Sequence, residues 1–218
     1  MNKKAKTILS LAVSFSLLAL TGCGGNTAKK KDGLDKSDAV HIKITLSNDK
    51  SIEADLYPHI APKSVENFTK LIDEHFFDGL IFHRVIEGFM IQGGGYDESF
   101  YDGNLNSKET DTIEGEFTSN GFKNELKHTR GVLSMARATD PDSASSQFFI
   151  MHQDYPSLDG QYAAFGEVTS GMDVVDEIAT SKTISVDGKL TYMGNVYNQT
   201  MTDVPETPVV IKKIEIIK

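Results

Sequence analysis

One stretch, residues 82–95, constrains the fold of this chain more than any other. It reads Phe-His-Arg-Val-Ile-Glu-Gly-Phe-Met-Ile-Gln-Gly-Gly-Gly. Side chains alternate in character on both sides of Gly88, which is typical of two strand pieces joined at a bend. Arg84 stands among large apolar residues, and a guanidinium is costly to bury because it keeps its charge. We therefore expect two adjoining strands and a functional role for Arg84.

The same alternation predicts further strands along the chain. Residues 41–46 and 51–56 alternate strictly, and the turn-forming residues 47–50 between them predict a β-hairpin. Residues 147–151 predict an interior strand, and residues 209–217 predict a strand that ends the chain. The continuous spread of strand signals over 218 residues favours one large domain.

Two segments have the apolar spacing of helices. Residues 62–75 begin with Pro62, which the first turn of a helix tolerates because an N–H there would have no partner. The apolar residues on one face of this segment are Val65, Phe68, Leu71 and Ile72. In residues 171–179 the corresponding residues are Met172, Val175 and Ile178. Both segments predict helices that cover a sheet.

Several motifs in one colinear order resemble the cyclophilin family of peptidyl-prolyl isomerases. They are Phe-His-Arg at 82–84, Gly-Phe-Met-Ile-Gln-Gly-Gly at 88–94, Leu-Ser-Met-Ala at 133–136, Ser-Gln-Phe-Phe-Ile at 146–150 and Leu-Asp-Gly-Gln-Tyr-Ala-Ala-Phe-Gly at 158–166. The resemblance spans roughly residues 40–180. It implies a mainly β fold, a closed eight-stranded antiparallel barrel capped by two α-helices, and it implies prolyl isomerase activity.

The resemblance also implies which residues form the site. Arg84 would act in catalysis together with Gln92 and Phe89. The residues implied for substrate binding are Phe89, Met90, Gln92, Ala136, Arg137, Gln147, Phe149, Leu158 and Tyr162. Each apolar member could instead be plain barrel core, which is the better interpretation for any one of them alone. Their occurrence together with Arg84 favours a proline pocket.

The sequence departs from the best-known family pattern at three positions. Ser157 stands where the familiar eukaryotic members have tryptophan, Tyr162 where they have histidine and Arg137 where they have asparagine. That tryptophan is associated with cyclosporin binding, so we expect weak inhibition by the drug. Tyr162 keeps an aromatic wall with a polar tip, and Arg137 adds a cation near the substrate.

Composition argues against nucleic acid as the main partner. The net charge is −9, and because the first 22 residues carry three lysines and no carboxylate, the remainder carries −12. Phosphate binding needs a basic face, which an acidic body does not favour. The six histidines show no metal-ligand spacing, so we expect neither a metal nor another cofactor.

Two short motifs lack the context of other enzyme classes. The run of glycines at 93–95 has no following Lys-Ser/Thr, so it indicates backbone flexibility near the site and not a phosphate loop. Ser134 lacks the Gly-x-Ser-x-Gly turn of α/β-hydrolases. The sequence therefore predicts neither nucleotide binding at the glycine run nor hydrolase activity at Ser134.

The first 38 residues predict export and lipid attachment. Residues 1–22 have a lysine-rich start and an apolar segment too short to span a membrane comfortably. Leu-Thr-Gly-Cys at 20–23 resembles the bacterial lipobox, which implies a lipidated Cys23, the chain's single cysteine. An ordinary secretory signal with an incidental cysteine is the alternative. Residues 23–38 predict a flexible tether, which leaves 39–218 as the folded domain.

Residues 181–208 are longer than the family's usual connection to the last strand. They contain a cluster of large side chains, namely Tyr192, Met193, Tyr197 and Met201. We interpret the segment as a surface insertion that packs on itself, and a docking surface for a partner is the alternative. The polar residues 96–112 predict a long loop, where the match to the family is weakest.

Together these features predict a monomeric prolyl isomerase held at the outer side of a bacterial cell membrane by lipid on Cys23. Its partners would be proline-containing segments of exported polypeptides. One alternative is a non-catalytic chaperone or adhesion factor that holds proline segments in the same groove, and another is a solute-binding lipoprotein. Arg84 favours catalysis, because binding alone would need only the apolar pocket.

Overall fold

The computed structural model describes residue 34 and residues 36–108 and 110–218. Its main body is an eight-stranded antiparallel sheet that curls into a nearly closed barrel with two α-helices, which confirms the predicted fold. The barrel strands are β1 (Val40–Leu46), β2 (Ser51–Leu56), β3 (Leu80–Ile86), β4 (Met90–Asp97), β5 (Val132–Met135), β6 (Phe148–Met151), β7 (Ala164–Ser170) and β10 (Ile211–Ile216). The helices are α1 (Pro62–Asp73) and α2 (Met172–Ala179), and a separate hairpin contains β8 (Thr183–Tyr192) and β9 (Asn195–Pro205).

Hydrogen bonds between each edge strand and the residues just before the other edge strand bring the barrel close to closure. The strand order is β10-β1-β2-β7-β5-β6-β4-β3, so β10 and β3 form the edges. The Phe82 N–H donates to the Val209 carbonyl at 2.9 Å, and the Gly79 N–H donates to the Ile211 carbonyl at 2.9 Å. Pairing of the edges removes backbone groups that would otherwise template association with other chains.

The predicted helices cover the barrel with the expected faces. Val65, Phe68, Leu71 and Ile72 of α1 are all buried. The helix ends at Asp73, two residues earlier than predicted, because His75 adopts a left-handed conformation with φ 54°. Phe68 packs its ring on the rings of Phe77, Phe148 and Phe165 in the barrel core.

Glu116 holds the start of α1 from a loop distant in sequence. One carboxylate oxygen accepts hydrogen bonds from the Ser64 N–H at 2.8 Å and the Ser64 hydroxyl at 2.7 Å. The other oxygen accepts from the Lys63 N–H at 2.9 Å. A carboxylate at this end satisfies free N–H groups and complements the helix dipole, so Glu116 ties α1 to the loop that follows residue 112.

The β8–β9 hairpin does not simply pack on itself, as the sequence suggested. It lies against β3 and against residues 98–106, where the Lys189 N–H donates to the Gly103 carbonyl at 2.8 Å. The Leu105 N–H in turn donates to the Lys189 carbonyl at 3.0 Å. We call residues 98–106 and the β8–β9 hairpin together the hairpin layer. Its core with the barrel consists of Ile81, Tyr96, Phe100, Leu105, Val186 and Val204.

The predicted signal segment and Cys23 lie outside the described residues. The end of the predicted tether contacts the barrel, since Leu34 packs on an apolar cluster and the Lys36 ammonium lies 2.8 Å from the Glu167 carboxylate. The tether prediction was therefore incomplete at this end. Within the described part of the chain, none of the helices has the length and apolar character needed to cross a membrane.

Candidate active site

Strand register brings the central predicted residues into one row. Arg84 on β3 pairs with Gln92 on β4, and Gln92 pairs with Phe149 on β6. Residues directly opposite one another in an antiparallel sheet project from the same face. The row lies on the outer face, because Ile91 and Phe148, which alternate with it along β4 and β6, belong to the barrel core.

Gln147 is joined to this row by a side-chain hydrogen bond. The Gln92 amide nitrogen donates to the Gln147 amide oxygen at 2.9 Å. Gly95 leaves room for this arrangement, because a Cβ there would lie 2.6 to 2.7 Å from side-chain atoms of Gln147. A Cβ on Gly94 would lie 2.7 Å from the Ser146 carbonyl oxygen. The glycine run thus permits close packing, a more specific reason than the flexibility we predicted.

An apolar wall lies next to the row. Met90, Phe149 and Leu158 are buried in one cluster, and Phe89, Ala136 and Tyr162 pack against it from half-exposed positions. The Tyr162 ring meets the Phe149 ring edge to face, with centroids 5.8 Å apart. Met90 is only 2% exposed, so it supports the wall from beneath.

Phe89 lies apart from Arg84 along the strands. Its neighbour Met90 pairs with Ile86, whereas Arg84 pairs with Gln92 two positions further along β4. The Phe89 ring packs instead on Tyr155, with centroids 4.5 Å apart. The structure therefore groups Phe89 with the apolar wall and does not place it against the guanidinium.

Arg137 is held against the protein at the rim of this wall. Its guanidinium lies between the rings of Phe117 and Tyr162, 5.0 and 4.8 Å from their centroids. It donates to the Gln161 carbonyl at 3.0 and 3.1 Å. The preceding Ala136 N–H donates to the Gln147 carbonyl at 2.9 Å, so that N–H is already used within the fold.

Ser134, His128 and Asp159 form a hydrogen-bonded chain behind the wall. His128 Nε2 lies 3.0 Å from the Ser134 hydroxyl, and its Nδ1 lies 3.1 Å from the Asp159 carboxylate. The order resembles a hydrolase triad, but Ser134 is completely buried and no substrate carbonyl can reach it. Burial lowers the pKa of His128, and the Asp159 carboxylate opposes that shift. The His128 ring stacks on Phe149, with centroids 6.1 Å apart, so these three hydrogen-bonded residues support the apolar wall.

His83 is adjacent to Arg84 in sequence but faces the hairpin layer. Its ring packs on Tyr96 and Phe100, with centroids 4.6 and 6.0 Å away. Complete burial lowers the pKa of His83 to about 3, and the neighbouring Arg84 charge adds to the effect. His83 is therefore a neutral, enclosed side chain and not a proton donor to the site.

Asp203 is a site neighbour that the sequence did not reveal. Its carboxylate lies 3.8 Å from Arg84 Nε, and both side chains are partly exposed, at 41% and 33% respectively. Asp203 belongs to β9, within the insertion. No motif marks it, because its proximity to Arg84 depends on how the hairpin lies along β3.

The chain matches one protein family over most of its length. The family model described as cyclophilin type peptidyl-prolyl cis-trans isomerase/CLD matches residues 41–216. A peptidyl-prolyl cis-trans isomerase of Acinetobacter baylyi is 46% identical over 149 residues, which cover 66% of this chain and 73% of that protein. Peptidyl-prolyl cis-trans isomerase A of Dickeya dadantii is 40% identical over 185 residues, which cover 83% of this chain and 86% of that protein.

Solved structures give the same result. A crystal structure of a cyclophilin type peptidyl-prolyl cis-trans isomerase from Cryptosporidium parvum has a TM-score of 0.64 and 26% sequence identity, and covers 83% of this chain and 98% of its own. A second structure of that protein, in the presence of the dipeptide Ala-Pro, has a TM-score of 0.63 and 27% identity, and covers 82% of this chain and 99% of its own.

Proposed function

The chain belongs to the cyclophilin family of peptidyl-prolyl cis–trans isomerases, and on this premise we propose that Arg84 is its catalytic donor and that exported polypeptides are its substrates. The observation that carries the first proposal is the row of Arg84, Gln92 and Phe149 on the outer face of three neighbouring strands. It sets one permanent cation beside an apolar wall that a proline ring can occupy.

Prolyl isomerisation requires neither a nucleophile nor an acid–base pair. Amide resonance gives the C–N bond partial double-bond character and a barrier of about 18–20 kcal/mol. Uncatalysed exchange takes tens to hundreds of seconds, and lowering the barrier by about 5.5–8 kcal/mol accelerates exchange roughly 10⁴- to 10⁶-fold. A catalyst therefore needs to stabilise the twisted amide, in which resonance is lost.

Arg84 is suited to that task. As the amide twists, the prolyl nitrogen becomes pyramidal and gains a lone pair that the planar ground state lacks. A guanidinium N–H that donates to this lone pair stabilises the transition state selectively. Arginine keeps its charge at every physiological pH, so this contribution does not depend on proton uptake. Gln92, paired with Arg84 in the register and bonded to Gln147, gives the row a fixed polar edge.

The apolar wall would hold the proline ring while the other side of the bond rotates. Phe149, Leu158, Phe89 and Tyr162 offer apolar surface next to polar groups at the rim, which is the usual composition of a small binding pocket. Proline-containing peptides are a reasonable ligand class, because the related Cryptosporidium protein was crystallised in the presence of Ala-Pro. Gln147 and the main chain at Ala136 and Arg137 would contact the peptide backbone.

NMR exchange spectroscopy on a short Xaa-Pro peptide tests the role of Arg84. The full-length chain, purified in detergent, would be compared with Arg84→Ala and Arg84→Lys. We expect Arg84→Ala to reduce kcat/KM by about 10²- to 10³-fold, the usual loss when one transition-state donor is removed. Arg84→Lys should recover part of the rate, since it restores a cation without the planar fork.

Peptide affinity separates this role from simple binding. If Arg84 acts in the transition state, both variants should bind the peptide about as tightly as the wild type does. An Arg84→Ala variant that exchanges the peptide at the wild-type rate would remove the proposal. Saturable binding without acceleration by the wild type would instead indicate a proline-segment chaperone.

We further propose that the enzyme works outside the cytoplasm, anchored by lipid on Cys23. The support is the lysine-rich start, the apolar segment and the Leu-Thr-Gly-Cys motif at 20–23. Two acyl chains give lasting attachment that a single chain does not. The enzyme would then meet polypeptides as they emerge from export, when slow Xaa-Pro isomerisation can limit their folding.

Metabolic labelling with an alkyne fatty acid in bacterial cells tests the anchor. The wild type should be labelled and remain with the membrane fraction, and Cys23→Ala should be unlabelled. Because Cys23 is the only cysteine, label in that variant would show that Cys23 is not the attachment point. Protease added to spheroplasts should degrade the anchored protein, and protection from protease would contradict the extracytoplasmic location.

A further inference from the structure

The insertion places a carboxylate beside the proposed catalytic donor. Asp203 Oδ2 lies 3.8 Å from Arg84 Nε, and the Thr202 hydroxyl donates to the same oxygen at 3.2 Å. The distance is within ion-pair range but is too long for a hydrogen bond. The two groups therefore interact mainly through their charges.

A β-bulge directs Asp203 toward β3. Along the hairpin, Ile184 pairs with Val204 and Val186 pairs with Met201, so β9 has one residue more than β8 in this interval. Asp203 lies in the extra length and has φ 60°. Asp and Asn tolerate this left-handed conformation better than most residues do. Bulges of this kind re-aim a side chain and are frequent near active sites.

The backbone around Asp203 is firmly held. The next residue, Val204, is fully buried in the core that the hairpin layer shares with the barrel. The carbonyl of Pro205 accepts a hydrogen bond from the Tyr101 hydroxyl at 2.8 Å. Asp203 thus approaches Arg84 from a fixed point and not from a loose surface loop.

We propose that Asp203 is a positioning residue, which restrains the Arg84 guanidinium so that its terminal N–H groups face the prolyl nitrogen. The carboxylate sits beside Nε at one edge of the planar guanidinium, which leaves the terminal N–H groups on its other edges available to the substrate. A half-exposed arginine otherwise samples many rotamers, and only some of them direct a donor at the substrate. The inference rests on the proposed role of Arg84. If it holds, the insertion that contains Asp203 contributes to the rate of isomerisation.

Asp203→Asn is the decisive variant. Asparagine has almost the same shape and tolerates φ 60°, but it carries no charge. The matched control is Asp187→Asn on the same hairpin, where Asp187 accepts a hydrogen bond from the Thr200 hydroxyl at 2.5 Å. Both variants remove one negative charge, so an effect of net charge alone would appear in both.

Isomerase kinetics on the full-length chain would report kcat and KM separately. We expect Asp203→Asn to lower kcat about two- to fivefold, the range typical of a partly exposed ion pair, with KM unchanged because the loss falls in the transition state. The control should keep the wild-type kcat. Added salt should narrow the difference between wild type and Asp203→Asn, because salt screens exposed charges.

Three outcomes would overturn the inference. They are an unchanged or raised kcat in Asp203→Asn, an equal fall of kcat in both variants, and a fall that follows a lowered melting temperature. Arg84→Ala measured in parallel distinguishes the two proposals. If Arg84→Ala is inactive and Asp203→Asn is normal, only the positioning role fails, whereas an active Arg84→Ala removes the catalytic role itself.

Discussion

Strand β3 is buried on both sides, but by two different regions of the molecule. On one side Phe82 and Val85 enter the barrel core, which is built from the strands and helices that the family shares. On the other side Ile81 and His83 meet the hairpin layer, whose segments are those where the family resemblance is weakest. Arg84 lies on the strand between these two regions. The barrel thus supplies the apolar wall beside Arg84, and the hairpin layer supplies an additional neighbour, Asp203, for the arginine.

The largest expected effect comes from removing one buried phenylalanine ring from each region. The Phe148 ring packs on Phe68, Phe77 and Phe82 in the barrel core, with centroids 5.2, 5.9 and 5.9 Å away. Phe148→Ala should lower the free energy of unfolding by about 3–5 kcal/mol, through lost burial and the cavity left behind. Urea unfolding followed by circular dichroism measures this loss.

Phe100→Ala is the matching change in the hairpin layer. Phe100 is also fully buried and packs on Tyr96, with centroids 4.9 Å apart. If the layer opens more easily than the barrel, this variant should accelerate amide hydrogen exchange in β8 and β9 and leave β5 and β6 protected. Faster exchange throughout the barrel would instead show that both regions unfold as one unit.

Gly188 packs closely on residues 103–105, and a substitution there gives a second test of the hairpin layer, with a smaller expected loss of stability. A Cβ on Gly188 would lie 2.4 Å from the Gly103 carbonyl oxygen and 2.7 Å from Leu105 Cγ. Gly188→Ala should therefore force the hairpin away and destabilise the layer by about 1–3 kcal/mol, again visible as faster exchange in β8 and β9. Gly194→Ala is the control, because a Cβ there meets nothing within 4 Å and adds only backbone strain at φ 78°. Equal effects of the two variants would contradict the packing explanation.

The sequence predicted the barrel better than the hairpin layer, and the reasons are physical. Strand alternation, Pro62 and the bend at Gly88 are local signals, and the structure follows them closely. The alternation within β3 was less informative. Phe82 and Val85 share the barrel core although they are three residues apart, because the β3–β4 register shifts between Phe82 and Arg84. The alternation of side chains along a strand has a period of two, and this pattern does not reveal where a β-bulge interrupts the strand.

The contribution of the insertion could not be predicted because it depends on contacts between segments far apart in sequence. Nothing in residues 181–208 indicates that Asp203 adopts a left-handed conformation or that it approaches Arg84. Likewise, the sequence alone did not join His128 to Ser134 and Asp159, since these residues come from three separate segments. The family motifs contain the residues of the row and of the apolar wall but not the groups that support them.

Acid should weaken the protein through one buried histidine in each region. The folded pKa of His83 is about 3, below its ordinary value of 6.5, so the unfolded state takes up a proton first as the pH falls. The contribution of neutral His83 to the free energy of unfolding should be fully present above about pH 6.5. It should be lost progressively as the pH falls from there toward 3. At pH 5.5 the contribution of His83 to this loss of unfolding free energy is on the order of 1 kcal/mol.

His83→Gln and His128→Gln separate the two regions in that titration. His83 Nδ1 has no hydrogen-bond partner among the described residues, whereas both ring nitrogens of His128 have one, and Asp159 offsets part of the effect of burial. Urea midpoints between pH 7 and 5.5 should thus depend less steeply on pH in His83→Gln than in His128→Gln. If the urea midpoint depends on pH identically in the wild type and in His83→Gln, then His83 is not a source of the acid-induced loss of stability.

The smallest expected effect comes from one surface ion pair in each region. On the barrel side, Lys36 and Glu167 lie 2.8 Å apart, and each side chain is about one-third exposed, at 34% and 35%. On the hairpin side, Lys182 and Glu206 lie 2.5 Å apart but are more exposed, at 75% and 47%. Double-mutant cycles to alanine should give coupling energies below about 1 kcal/mol for both pairs.

The Lys36–Glu167 pair should have the larger coupling energy, since solvent screens it less and Lys36 also lies 5.0 Å from the Tyr57 ring centroid. A stronger coupling between Lys182 and Glu206 would mean that ion pairs at the edge of the hairpin layer stabilise it more than its buried core does.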